Sequence, residues 1–263
     1  MWNPTRRRGH RLSGTDGLGT SVHVASWALV LWLLAAAPAS GQPASADSAS
    51  QSATSRSSLF SAGGDAVAAT SYVWRGFLES DQRCFQPGAW ISVGPIVFDA
   101  WMNLEVMDDG LHNAEYDLSL FYTRDIPRAT ITAGLTNYFF DQPEGRERHS
   151  ELAVMLATDL PLNPAFEAYY SVSEERGVYA SAALSYPRRL SQRILATAEA
   201  ALGYNHRMWV DSSGFSDVRG TLRLSLERPA QRFQIDVALE YNHGLVRDVI
   251  SNKAVMRVGI TMQ

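Results

Sequence analysis

From Gly64 to Gln263 the chain alternates apolar and polar side chains in segments of roughly ten residues. A strand sends successive side chains to opposite faces, whereas a helix returns to one face every three to four residues. The period of two therefore predicts strands, over 65–75, 88–94, 96–106, 114–123, 128–139, 150–158, 165–173, 178–186, 193–205, 217–227, 232–242 and 254–262. The alternation is clearest late in the chain. Phe233, Ile235, Val237, Leu239 and Tyr241 share one face, and Gln234, Asp236, Ala238, Glu240 and Asn242 the other.

The connections fall into two kinds. Those after odd-numbered strands are long and polar (76–87, 107–113, 140–149, 206–216 and 243–253), with 174–177 the short exception. Those after even-numbered strands are shorter and often carry proline: Pro95 itself, then 124–127, 159–164, 187–192 and 228–231. Long outer loops, short inner turns and an even strand count are the signature of a bacterial outer-membrane barrel. No segment after residue 40 is apolar for long enough to span a bilayer as a helix. Helices and closed barrels alone satisfy every backbone donor and acceptor in lipid. The expected fold is thus all-β: a closed antiparallel up-and-down transmembrane β-barrel of about 12 strands, apolar face outward.

Aromatic residues at the strand ends predict two interfacial girdles, with Phe166, Tyr186 and Phe233 at one rim and Trp74, Tyr116, Phe139, Tyr204 and Tyr241 at the other. A soluble barrel or sandwich would alternate too, but would bury the apolar face and turn Arg219, Arg223, Asp236 and Glu240 to bulk water. The orientation of Leu224, Val237 and Leu239 separates the two.

Arg6, Arg7, Arg8 and Arg11, then an apolar run from Val24 to Ala37, predict a secretory signal peptide over residues 1–39, with small residues offering cleavage at Ala39, Gly41 or Ala46. The leader expected over 40–62 is dominated by Ser and Ala from 43 to 60 and buries too little apolar surface to fold. The barrel domain is expected over 63–263. Removing the signal region takes four arginines and Asp16 from the chain's 23 basic and 27 acidic residues, so the exported part is acidic and no nucleic-acid partner is expected. The one cysteine, Cys84, can form no internal disulfide and reads as an incidental loop thiol. The expected localisation is the bacterial outer membrane. The expected partners are outer-membrane lipid and lipopolysaccharide, the barrel-assembly machinery and small polar solutes.

The stretch Ser71-Tyr72-Val73-Trp74-Arg75-Gly76, followed by Glu79-Ser80-Asp81 and Gln86-Pro87-Gly88-Ala89-Trp90, resembles the N-terminal signature of outer-membrane porins of the TorF type. Weaker echoes follow in order at Ala100-Trp101-Met102-Asn103, Glu115-Tyr116-Asp117-Leu118, Asn137-Tyr138-Phe139 and Ser150-Glu151-Leu152, so the similarity covers about residues 64 to 160. It implies an outer-membrane barrel of porin type and supplies no catalytic residues. The chain departs from that pattern in placing Trp74 where Phe or Tyr is commoner, and in carrying Cys84 and Phe85.

With the apolar face on lipid, the other face lines a lumen. The expected pore-lining residues are Arg75, Asp99, Glu105, Glu115, Asp117, Glu151, Glu167, Arg193, Glu199, Arg219, Arg223, Asp236, Glu240 and Arg257. Acidic members dominate the earlier strands and arginines the later ones. Strands distant in number face each other across a closed barrel, so a transverse field is expected. Five basic residues against nine acidic ones predict a weak preference for cations. The bland alternative is a plugged barrel whose charges pair across a lumen too narrow for water.

An outer-membrane hydrolase and a surface-binding module are the competing classes. His112, His149, His206 and His243 all fall in expected outer loops, but no two have close metal-ligand spacing and no serine sits in a glycine-flanked elbow. No catalytic residue, metal or cofactor is therefore assigned. Phe77, Phe85 and Trp209 are apolar enough to contact a partner or to fold down over the pore mouth, the second reading being favoured.

Overall fold

A computed structural model describes residues 59–142, 145–173, 176–211, 213–228, 230, 232–246 and 252–262. The signal peptide expected over 1–39, its cleavage sites and the leader as far as residue 58 lie outside the described residues. Among the described residues fourteen strands follow one another: β1 (Phe60–Ala69), β2 (Tyr72–Trp74), β3 (Phe77–Ser80), β4 (Cys84–Val93), β5 (Ile96–Met107), β6 (Gly110–Ile126), β7 (Ala129–Gln142), β8 (Gly145–Thr158), β9 (Ala165–Ser171), β10 (Val178–Arg189), β11 (Ile194–His206), β12 (Ser213–Arg228), β13 (Phe233–Gly244) and β14 (Lys253–Met262). Twelve of them close a barrel in the ring order β1-β14-β13-β12-β11-β10-β9-β8-β7-β6-β5-β4, while β2 and β3 pair only with each other. Every ring neighbour pairs antiparallel, including β1 with β14.

The apolar face looks outward. Leu224, Val237 and Leu239 are 52, 46 and 55% exposed, while Ala238 and Glu240 between and beside them are 6 and 4% exposed. An exposed apolar belt with buried polar residues inside inverts the layout of a soluble domain and suits a molecule whose solvent is lipid. On the outer surface Tyr116 stacks on Phe139 at 4.5 Å, and Tyr204 meets Phe215 edge-on at 5.8 Å.

Several expected boundaries shift. The first strand runs from Phe60 to Ala69, five residues ahead of the 65–75 segment, and the end of that segment forms β2 instead. Apolar residues fill both pieces, and the bend between them falls at Thr70-Ser71, with no glycine or proline to mark it. The loops expected at 107–113 and 140–149 are mostly strand: β6 starts at Gly110 and β8 at Gly145. Charged residues there lie on ladder that extends past the apolar belt, as where Arg148 donates to Asn137 Oδ1 at 2.5 and 3.2 Å. Cys84 is no loop thiol. It opens β4, is 2% exposed, and its thiol donates to the Gln82 carbonyl at 3.2 Å. Pro87 brings no donor to β4, and the β4–β5 ladder skips Gln86 and Pro87. Gln86 Nε2 donates to Asn103 Oδ1 at 3.0 Å and bridges the gap from inside.

Candidate functional site: a hairpin across the lumen

The connection after β1 folds inward. β2 and β3 form a tight hairpin whose two-residue turn is Arg75-Gly76, with Trp74 opposite Phe77. Both turn residues have positive φ, 49° and 84°, the handedness that matches the twist of a two-residue hairpin. Glycine adopts it freely and arginine does so at a cost of about 1–2 kcal/mol. That cost is offset where the Arg75 side chain ends. Its guanidinium grips Glu151 on β8 with both arms, at 2.9 and 3.1 Å, and Tyr138 on β7 donates to the same carboxylate at 3.0 Å. It also lies over the rings of Trp74, Tyr169 and Tyr179, at 4.1, 3.8 and 5.0 Å. Tyr169 belongs to β9, six places round the ring from β1, so the hairpin crosses the full width of the barrel. One pair behind Trp74 and Phe77, Val73 and Leu78 pack against Ala69 of β1 and Val255 of β14.

A second connection covers the hairpin. Asn205, at the end of β11, holds the Met208 amide at 2.9 Å and its carbonyl at 2.7 Å, folding the segment inward. Met208 is wholly buried against Arg75, and Trp209 meets His149 at 4.1 Å and Trp74 at 5.6 Å. Gly177 leaves the room this needs, because a Cβ there would stand 2.5 Å from the Met208 backbone. Trp74 is therefore a lumen residue and not part of the outer girdle. Phe77 is buried with the hairpin, and Phe85 is exposed on the outer face of β4.

Next to the hairpin lies a cavity of about 290 Å³. Of the residues expected to line a pore, it is bordered by Arg75, Asp99, Asp117, Glu167, Arg219, Arg223, Asp236 and Arg257. The others sit elsewhere. Glu115 and Glu151 are buried, Glu105 lies opposite Cys84 near the loop end, and Arg193 is exposed in the turn before β11. Glu199 pairs with Arg219 at 3.6 Å and Glu240 with Arg257 at 3.4 Å. Arg219 and Arg223 stand on β12, six places from Asp117 on β6, so these charges face each other across the lumen. The wall from β11 to β14 is mixed. The wall formed by β1, β5 and β6 carries Asp65, Asp99 and Asp117, and Asp65 was not among the expected residues.

The four histidines lie in strands, not in loops, and have different neighbours. His149 is buried in β8 with Nε2 3.4 Å from Glu151 Oε1. His206 Nδ1 lies 2.8 Å from Ser213 Oγ, and His243 is exposed on β13. His112 Nε2 lies 2.8 Å from Asp109 Oδ1, a hydrogen bond that holds the Asp109 carboxyl below its ordinary value. Among the described residues no three His, Cys, Asp or Glu side chains group so as to hold a metal ion.

No protein-family model matches the chain, and no curated protein matches it by sequence. Solved structures do match. The KdgM porin is 10% identical, with a TM-score of 0.50 over 76% of this chain and 98% of its own. The NanC porin is 10% identical, with a TM-score of 0.45 over 76% of this chain and 99% of its own. At such identity the likeness is one of fold, a closed antiparallel barrel of twelve strands.

Proposed function

We propose that this chain is an outer-membrane channel for passive diffusion of small hydrophilic solutes, narrowed by the β2–β3 hairpin and made selective by the charges around it. One observation carries the reading. A closed barrel turns an apolar belt outward and encloses a charged cavity, and its width is restricted by a folded segment of its own chain. The apolar belt supports placement in lipid. The TorF-type resemblance supports the bacterial outer membrane, with the longer connections outside, lipopolysaccharide around the belt and insertion by the barrel-assembly machinery. The resemblance is strongest at Ser71 to Gly76, the residues that build the hairpin and its turn.

Cations are the preferred permeants. Arginines on β12 and β14 share their wall with Glu199, Asp236 and Glu240, whereas the wall bearing Asp65, Asp99 and Asp117 is acidic throughout. Reconstitution in a planar bilayer under a potassium chloride gradient tests this. The expected result is small unitary steps with a reversal potential on the cation side. Anion selectivity overturns the assignment of polarity. The buried Arg75–Glu151 pair favours a second reading, a barrel plugged for structural ends. Absence of conductance in protein that shows heat-modifiable gel migration would establish that reading in place of the channel.

A further inference from the structure

We infer that the acidic wall of the lumen is a binding site for a small organic cation of the alkylammonium class. Two inward rows carry the argument. In one, Asp65, Gly88, Trp101 and Asp117 lie side by side on β1, β4, β5 and β6. In the next, Asp99 is flanked by Trp90 and Ser119. Residues directly opposite in antiparallel strands have Cβ atoms about 5 Å apart, and diagonal neighbours about 7–8 Å. Asp117 thus stands directly across from Trp101, and Asp99, two residues along β5 from Trp101, is the diagonal neighbour of Asp117, with Asp65 on the far side of the indole across a glycine that puts no side chain between them.

Three features point to a ligand rather than to a solvated acidic face. The cavity of about 290 Å³ opens onto this wall and is bordered by Asp65, Asp99 and Asp117 together with Tyr72, Trp101 and Phe121. Among the described residues Asp117 Oδ1 is buried and accepts no hydrogen bond, while the Asp117 carboxyl as a whole meets that of Glu115 on the same strand. Tyr72 of the hairpin lies 5.5 Å from Trp101, ring centre to ring centre, at 52°, adding a second aromatic ring beside the carboxylates. Carboxylates supply charge, and aromatic faces attract a poorly hydrated cation in particular, which distinguishes an alkylammonium from potassium or sodium. The nearest guanidinium of the hairpin is drawn away to Glu151. Arg219 and Arg223 border the far side of the same cavity and repel a second positive charge, so a monocation fits better than a polyamine.

This inference deepens the cation preference proposed above, yet its test does not depend on conduction. Choline is the probe, and 3,3-dimethylbutan-1-ol, its uncharged counterpart of the same shape, is the control. Each is titrated calorimetrically into the full barrel folded in detergent, at constant sodium chloride. Choline is expected to bind at least about tenfold more tightly than the alcohol, and Trp101→Leu to weaken choline by about threefold to thirtyfold. Asp99→Asn combined with Asp117→Asn, which preserves side-chain size, is expected to weaken it by about tenfold or more. Gel migration confirms that each variant is folded, and the Trp101 variant serves if the double variant is not. Equal binding of the alcohol, absence of choline binding by folded protein, or full binding by either folded variant overturns the site. Conductance without choline binding rejects the site and leaves the channel standing. Choline binding without conductance does the reverse.

Discussion

Replacing Glu151 by glutamine tests whether the hairpin is held across the lumen by charge. The substitution keeps the shape of the side chain and removes its charge, leaving Arg75 at 8% side-chain exposure opposite a residue of 0% exposure. Breaking one partner of a buried ion pair typically costs about 3–5 kcal/mol, because the surviving charge is stranded. The three cation–π contacts of Arg75 remain, each worth about 0.5–2 kcal/mol, and so does the packing of Val73 and Leu78 against Ala69 and Val255. Loss of about 3 kcal/mol from docking lowers the ratio of docked to undocked hairpin by about a hundredfold, since each 1.4 kcal/mol is a factor of ten. In single-channel records Glu151→Gln should therefore show frequent large openings that the native protein shows rarely. The double substitution Arg75→Met with Glu151→Leu separates charge from packing. Apolar residues of similar volume often replace a buried pair without loss, so this variant should stay narrow and quiet. If Glu151→Gln gives native conductance and native open times, the ion pair does not hold the hairpin and the account of the constriction fails.

Two further predictions probe the belt and the cover. Leu239→Arg places a charge on the outward face of β13, where 55% of the native side chain is exposed; it should cost about 2–4 kcal/mol in urea unfolding from lipid vesicles if that face lies near the bilayer midplane, and a neutral effect would count against lipid contact there. Gly177→Ala sets a methyl group 2.5 Å from the Met208 amide nitrogen and Cα, backbone atoms that cannot swing aside, so the segment carrying Trp209 should lift. Conductance should rise and indole quenching by acrylamide should increase, whereas unchanged quenching would show that the cover does not depend on this approach.

The strand pattern was legible because period-two alternation reports directly on which face meets which medium. Val237 and Leu239 against Ala238 and Glu240 gave the orientation, and the ladders place them on opposite faces. The hairpin was not legible. Tyr72, Val73 and Trp74 extend the apolar run of β1 past Thr70 and Ser71, and the φ values of Arg75 and Gly76 reveal the turn there. Arg-Gly is a weak turn signal beside Asn-Gly or Asp-Gly. Loop lengths were overread for a related reason: beyond the apolar belt both faces of a strand meet water, and the polar residues around His112 and Arg148 then look like loop although they are laddered. The cavity wall was seen in part. Asp99 and Asp117 were assigned by face, but their place beside Trp101 depends on register between strands, which one chain read alone does not reveal. Asp65 was overlooked although it opened the first expected strand.

The patch joining Ala69, Val73, Leu78 and Val255 straddles the seam where the first and last barrel strands meet. Among the described residues that seam is registered over six residue pairs, whereas β1 matches β4 over ten. The segment that reaches across the lumen also rivets the cylinder shut from within. An engineer who excises it to widen the bore would loosen the stave joint as well, so leakiness and failed assembly would arrive together, and enlarging the aperture safely means trimming the tip while sparing the root.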